Sequence, residues 1–428
     1  MPQIRQNKKK IFNDPVYGFI GIPDELLFDL VEHPDFQRLR RIKQLGLTHL
    51  VYPGALHTRF HHSLGAMHLM QQAIATLRSK GQYISPEEAQ AVSVAILLHD
   101  IGHGPYSHTL EQSIVAGIPH EKLSLLFMQK LNHLTGGRLE MALAIFQDTY
   151  PKKILHQLVS SQLDMDRIDY LKRDSFFTGV SEGVINAERL ITMLDVVHDE
   201  LVVEAKGIYS VEKFIVARRL MYWQVYLHKT VLSAEFMLLN ALRRAKELSS
   251  RGATLFATPA LSLFLKQDIQ LKDMEQQPEI LDRFAELDDF DLFTALKVWQ
   301  NHPDQVLSYL SQCIVNRQLF RVVLSNEAFD AGQTDLIKQA IGEAFTLPAE
   351  EAAYLLINNQ TSNHAYHPNQ PKINILFKDG TVQDIREASD QLNISVLSMP
   401  VTKHFLCYPK SIKTPFDDLP DGSGQKRI

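Results

Sequence analysis

An almost unbroken apolar run at 91–98 ends in His99-Asp100, and the residues behind it, Ile101-Gly102-His103-Gly104-Pro105, stop the helix and add a second imidazole, with His108 close by. Such a run reads as a buried helix, so an imidazole and a carboxylate at its end carry a desolvation cost that needs compensation. A bound cation would supply it. Alone, a pair of this kind is more often a satisfied core residue or a cap than a ligand set, and divalent cations ask for three or four side-chain ligands.

The chain offers further candidates on both sides of the pair. Upstream, TRFHHSLG at 58–65 opens an apolar helix through Leu64, Met67, Leu69 and Met70. Neighbouring helical residues point about 100° apart, so His61 and His62 cannot face one metal equally well. Arg59 lies near the helix start, where a guanidinium and free backbone N–H groups can meet phosphate. Downstream, LDMDRIDYLKRD at 163–174 aligns Asp166, Tyr170 and Asp174 at i, i+4 and i+8 on one helical face, with Arg167 beside Asp166. The alternative for this charge-dense stretch is an exposed face stitched by i,i+4 pairs.

Several blocks, in order, carry a resemblance: KIFNDP at 10–15, FQRLRRIKQLG at 36–46, RFHHSLG at 59–65, HDIGHGPYSH at 99–108, the 163–174 block, and more weakly RQLFR at 317–321. They resemble the HD-domain phosphohydrolases, and within them the dGTPase-like branch of dNTP triphosphohydrolases related to the SAM-and-HD-domain enzyme, with no SAM domain expected here. The resemblance implies one divalent metal ion held by His62, His99, Asp100 and Asp166. Nitrogen and oxygen ligands in this ratio suit Mg, Mn, Fe or Zn alike. The reaction implied is hydrolysis of a dNTP, dGTP among them, to deoxynucleoside and triphosphate, with water attacking the α-phosphorus.

The same resemblance distributes roles. Arg59 and Arg167 would clamp the phosphates, assisted by His103. His108 and His120 are the candidates for proton transfer, and Glu111, where the relative carries aspartate, would orient one of them. Gln44 and Leu45 resemble residues beside the sugar 3′-hydroxyl. Tyr170 and Asp174 line the sugar, and a tyrosine packed under C2′ would exclude ribose. Arg218, Tyr222 and Tyr226, at i, i+4 and i+8 of a helical segment at 211–248, share one face and are expected to bind substrate, and Tyr226 resembles a family tyrosine at the base. Tyr222 replaces a histidine of the family.

Lys10, Ile11, Glu32, Gln37, Arg40, Lys206, His228, Lys229, Arg317 and Arg321 resemble parts of effector sites that bind dGTP or another nucleotide between chains, which implies a homo-oligomer, dimer or tetramer. Glu32 stands where an aspartate would read guanine, and Glu204 where a basic residue is expected. The alternative for this set is ordinary surface charge. Two other functions stay open: an HD-type phosphodiesterase or nuclease acting on another phosphoester, and a catalytically silent nucleotide-binding assembly module.

These residues need a scaffold. The 428 residues, 45% hydrophobic, suffice for a large core or two lobes. Helical periodicity dominates to about 313, so the fold class is mainly α: a strand-like arm and helical HD lobe at 1–313, with its core at about 55–175, then a smaller α+β lobe at 314–410 and a disordered tail at 411–428. Strands are expected at 318–324, 394–397 and 404–408, with a hairpin at 373–377 followed by Lys378-Asp379-Gly380, and a helix-rich insert at 331–358. Net charge is −5 with signs interspersed, which excludes a broad basic face for duplex nucleic acid. No 18-residue apolar run or signal-peptide pattern occurs, so no membrane partner is expected and a cytoplasmic location is. Cys313 and Cys407 are too few for a disulfide framework and read as buried thiols.

Overall fold

A computed structural model describes residues 10–363, 365–367, 371–390, 399–414 and 416, and the backbone of 425–427; the side chains of Ser107 and His108 lie outside it. The chain begins with an antiparallel hairpin, Ile11–Asp14 against Gly18–Gly21, in the register Ile11↔Gly21 to Asp14↔Gly18. Asp14 closes its turn by accepting the backbone N–H groups of Val16 and Tyr17 at 2.9 and 3.0 Å.

Three helices then build the site. Arg59–Ser79, Pro86–Leu98 and Met165–Thr178 pack on one another, the first at the centre. Ser85 and Glu88 form a capping box ahead of Pro86, and the helix runs through the buried 91–98 stretch to His99 at its C-cap. Asp164 caps the third helix by accepting the Arg167 N–H, and Gly179, at φ 74°, ends it. A fourth helix, His120–Leu134, starts at the imidazole that faces the site.

The lobe is helical as expected, with one exception at Leu194–Val197 and Glu200–Glu204, an antiparallel hairpin. Its turn is His198-Asp199, both at positive φ (53° and 62°), a conformation usually given to Asn-Gly or Asp-Gly. Asn374–Leu376 joins it in parallel and Val382–Asp384 completes a four-stranded sheet. The hairpin at 373–377 and beyond is therefore present, and it docks on the helical lobe.

The helical segment at 211–248 is not continuous. An α-helix over Ile208–Met221 passes into a π turn over Tyr222–Tyr226, and a new helix, Lys229–Ser250, starts after His228, whose Nδ1 accepts the Thr230 N–H. Two registers thus replace one, and the π turn sits at a tyrosine pair.

The second four-stranded sheet runs in the order 425–427, Arg321–Ser325, Val401–Tyr408, Ile357–Asn363. Arg321–Ser325 begins later than the 318–324 segment because Gln318 still belongs to the end of the preceding helix, its N–H donating to Cys313 O at 2.7 Å after Arg317 turns at φ 55°. The insert does hold the helix Ala331–Phe345, yet its last residues open the Ile357–Asn363 strand, whose polar composition gives no alternation. The strand expected at 394–397 lies outside the described residues, as does most of the 411–428 tail, of which Gln425–Arg427 pairs with Arg321–Ser325. A single hydrophobic cluster joins Leu97, Met165, Val323 and Phe405. Cys313 and Cys407 are buried free thiols, and no described helix is long and apolar enough to cross a membrane.

Candidate active site

The Arg59–Ser79 helix separates its two adjacent histidines by function. His61 folds back so that Nδ1 accepts the Thr58 N–H at 3.2 Å, which leaves His62 to point inward with no exposed surface. Gly65, one turn on, must be glycine: a Cβ there would stand 2.0 Å from Asp169 Oδ1 and 2.2 Å from Arg173 Nη2. Beyond His99 the chain turns tightly. Gly102 has no room for a Cβ, with Ser124 N 2.2 Å and His120 O 2.3 Å from where it would be, and its N–H donates to Ser124 Oγ, which donates in turn to His99 O at 2.6 Å. Buried Arg38 ties the far side of the loop, with Nη2 2.8 Å from Ile101 O and 2.9 Å from His103 O.

Four side chains converge. His62 Nε2 is 3.0 Å from Asp166 Oδ1 and 3.4 Å from His99 Nε2; His99 Nε2 is 3.4 Å from Asp166 Oδ1 and 3.3 Å from Asp100 Oδ1. His62 Nδ1 pairs with Asp169 Oδ2 at 2.7 Å, and His99 Nδ1 with Ile96 O at 2.6 Å. Each outer contact fixes the proton of its ring on Nδ1, so both Nε2 atoms present lone pairs to the Asp166 carboxylate. Acceptors facing acceptors need a positive charge between them. Ligands sharing one ion at about 2.1 Å stand roughly 3.0–3.4 Å apart, so these spacings fit a divalent metal.

Without metal, protons must serve instead. Burial alone would lower His62, but hydrogen bonds and charge from Asp166 and Asp169 outweigh it and hold the ring up to about 10. His99 is raised against its burial by Asp100 and Asp166, and Asp166 is held below the usual carboxylate range by the two imidazoles. In the metal-free protein the stabilisation from protonated His62 is complete below pH 6.5 and is lost as pH climbs towards about 10. Metal-bound imidazole carries no such proton. The gap in unfolding midpoint between metal-loaded and chelator-stripped protein should therefore widen as pH is raised above 6.5. Thermal scans at stepped pH check it, and a constant gap contradicts the proton-for-metal exchange.

Behind the candidate ligands stands a buried relay. Arg173 donates to both oxygens of Asp169 at 2.9 and 3.0 Å and reaches Asp14 Oδ2 of the N-terminal hairpin at 2.7 Å. The arm is thereby coupled to the orientation of His62. Asp169 and Arg173 belong to the 163–174 block that carries the resemblance but receive no role from the sequence, although their i,i+4 spacing inside a helix with a buried face is a signal.

On one flank, Arg59 Nη1 lies 2.6 Å from Asp100 Oδ2, and His103 Nε2 lies 3.3 Å from Asp100 Oδ1. Burial and then Arg59 push His103 well below its ordinary value. The rings of His103 and His120 stack with centroids 3.7 Å apart, and His120 Nδ1 meets Glu111 Oε1 at 3.0 Å. The longer carboxylate thus reaches His120, while the His108 side chain lies outside the described residues. Arg167 is held at the edge by Ser161 O at 2.5 Å and by Asp164 Oδ2 at 3.3 Å.

On the other flank, Asp174 Oδ2 accepts from Tyr226 OH at 2.8 Å, and Tyr226 meets Tyr170 and Tyr222 edge-on at 6.1 and 5.1 Å. Arg218 lies 5.8 Å from the Tyr222 ring centre. Gln44 and Leu45 are half-buried, and the Gln44 N–H donates to His57 O at 3.0 Å. Of the effector candidates, Lys10 pairs with Glu32, Arg40 bonds Gln37 at 2.8 Å and covers the Phe60 ring at 3.6 Å, and Ile11 is exposed. Arg317 donates to Leu50 O at 2.6 Å, and His228 packs edge-on against Tyr52. Lys229 opens its helix, Arg321 its strand, and Lys206 is exposed beside Glu204.

Comparison with known proteins locates this geometry in a family. The model of the HD domain matches residues 59–174, and that of the HD associated region matches 185–258. An uncharacterized protein of Bacillus subtilis, YwfO, is 31% identical over 429 residues, covering 96% of this chain and 94% of its own length. The deoxynucleoside triphosphate triphosphohydrolase SAMHD1 homolog of Dictyostelium discoideum is 31% identical over 261 residues, 56% of this chain and 50% of that protein. A crystal structure of a phosphohydrolase from Bacteroides thetaiotaomicron superposes with a TM-score of 0.91 at 55% identity, covering 94% of this chain and 100% of that one. With the paired histidines and aspartates converging where the HD model matches, the chain belongs to the HD-domain phosphohydrolase superfamily and carries a site suited to a divalent metal.

Proposed function

We propose that the protein is a dNTP triphosphohydrolase that converts a dNTP and water to a deoxynucleoside and inorganic triphosphate, working as a homo-oligomer. The observation that carries this reading is the order of side chains on the Met165–Thr178 helix: Asp166 at the ligand cluster, then Tyr170, then Asp174 bonded to Tyr226. Eight residues of helix rise about 12 Å, a length suited to a nucleotide lying from its reacting phosphate to its sugar.

A divalent ion held by His62, His99, Asp100 and Asp166 would supply Lewis-acid polarisation of the phosphoryl oxygen and an acidified water. The remaining work falls to the protein. Arg59 and Arg167 neutralise the phosphates, and Arg59 is set by its contact with Asp100. As the bond from water oxygen to the α-phosphorus forms and the bond to the 5′ oxygen breaks, that oxygen needs a proton. His120, held by Glu111 and stacked on His103, is the donor. Tyr170, Asp174 and Gln44 receive the sugar, and Tyr226, which links Asp174 to Tyr222, faces the base with Tyr222 and Arg218.

His120→Ala should keep its metal and lose about 10²- to 10³-fold in turnover. Metal content and steady-state rates check it, with His108→Ala run beside it; wild-type rates in both would remove the proton-transfer assignment. Turnover of four dNTPs against four rNTPs tests the substrate, and the same assay with dGTP added as effector, read together with oligomeric state, tests the site that includes Lys10, Gln37, His228 and Arg317. Nucleoside monophosphate released from a diester would favour the phosphodiesterase alternative.

A further inference from the structure

His57 has no part in the roles above, yet its side chain is wholly buried and lies between two of the residues given to the sugar. Its Nε2 is 2.7 Å from Asp174 Oδ1, its carbonyl accepts the Gln44 N–H at 3.0 Å, and its ring stacks on Phe177 with centroids 4.5 Å and planes 19° apart. In the tautomer that makes the Asp174 bond, Nε2 carries the proton and donates it.

The acceptors around it are under-used. Asp174, 1% exposed, takes one donor on each oxygen, His57 and Tyr226, whereas a carboxylate has about four acceptor positions. Gln44 Oε1 is buried with no partner among the described residues. A buried acceptor without a donor is costly, and a substrate hydroxyl would satisfy it. Both acceptors are tied to one residue, through its side chain in one case and its main chain in the other.

We propose that His57 is a positioning residue of the sugar subsite: it fixes Asp174 and Gln44 together so that both meet the 3′-hydroxyl of the substrate. The ring stack on Phe177 restricts rotation of the imidazole, so the Asp174 oxygen it holds is placed before substrate arrives. This inference rests on the triphosphohydrolase reading and adds the residue that makes its sugar contacts a unit.

The test compares kcat/KM for a dNTP and for the matching 2′,3′-dideoxynucleoside triphosphate in wild type, His57→Leu and His57→Gln. Wild type is expected to favour the dNTP by about 10- to 100-fold. His57→Leu should bring that preference to within about threefold, by a rise in KM for the dNTP alone, and His57→Gln, whose Nε2 can donate from nearly the same place, should retain part of it. Equal losses on both substrates, with the preference intact, mean that His57 serves only the core and overturn the proposal. If His57→Leu does not fold, His57→Gln against His57→Asn, which differ in reach, reads the same ratio, and wild-type preference in both overturns it. A wild type that turns over no dNTP at all overturns the triphosphohydrolase reading instead, and this proposal with it.

Discussion

Asp166→Ala is expected to leave the protein folded, free of bound metal and slower by more than about 10³-fold, a loss of roughly 4 kcal/mol in transition-state stabilisation. Asp166 Oδ1 is the point on which both candidate ligand rings converge, 3.0 Å from His62 Nε2 and 3.4 Å from His99 Nε2. Removing it leaves the two nitrogens with Asp100 as their one anionic partner in the proposed ligand set, and that carboxylate is already neutralised by Arg59 at 2.6 Å, so the site's affinity for a dication should collapse. The fold should survive, because Asp166 is half-buried at a helix start already capped by Asp164. Elemental analysis, thermal unfolding and turnover check the three parts. Full metal occupancy in the variant would show that another residue is the ligand.

Asp169→Asn is the complementary case, because it touches no substrate and no proposed metal ligand atom changes. It should lower metal affinity about 10- to 100-fold, since a ligating imidazole loses the carboxylate that orients it and raises its basicity. Stability should fall as well, by about 3–5 kcal/mol, because fully buried Arg173 keeps Asp14 but loses its partner on the same helix. The two variants separate by rescue. Excess metal should restore much of the turnover of Asp169→Asn and none of that of Asp166→Ala, and chelator competition measures the affinity directly. Undiminished affinity in Asp169→Asn would mean that the 2.7 Å contact with His62 does not tune the site.

The candidate ligands were legible because each announces itself locally. His99-Asp100 ends an apolar run, and Asp166, Tyr170 and Asp174 keep helical spacing that the Met165–Thr178 helix realises. The choice of His62 over His61 became physical only with the cap, since Thr58 claims the His61 ring. Other features had no local signal. His57 sits in an irregular segment without periodicity, and what it does depends on Asp174, 117 residues away. Arg173 reads as one charge in a charged stretch until Asp14 arrives from the N-terminal hairpin. The Leu194–Val197 hairpin turns on His198-Asp199 without the glycine that usually marks such turns, and the break at His228 interrupts a sequence whose periodicity continues on both sides. Partners far along the chain decided each of these.

The substrate is the part that rests most on the arrangement of Arg59, Tyr170, Asp174 and Gln44, and one measurement addresses it directly. Metal-loaded protein is incubated with a single dNTP in ¹⁸O-labelled water, and the products are separated and weighed. Equal amounts of deoxynucleoside and inorganic triphosphate are predicted, with one ¹⁸O in the triphosphate and none in the nucleoside, as attack at the α-phosphorus requires. Monophosphate with pyrophosphate, label in the nucleoside, or no turnover of any dNTP would contradict the account.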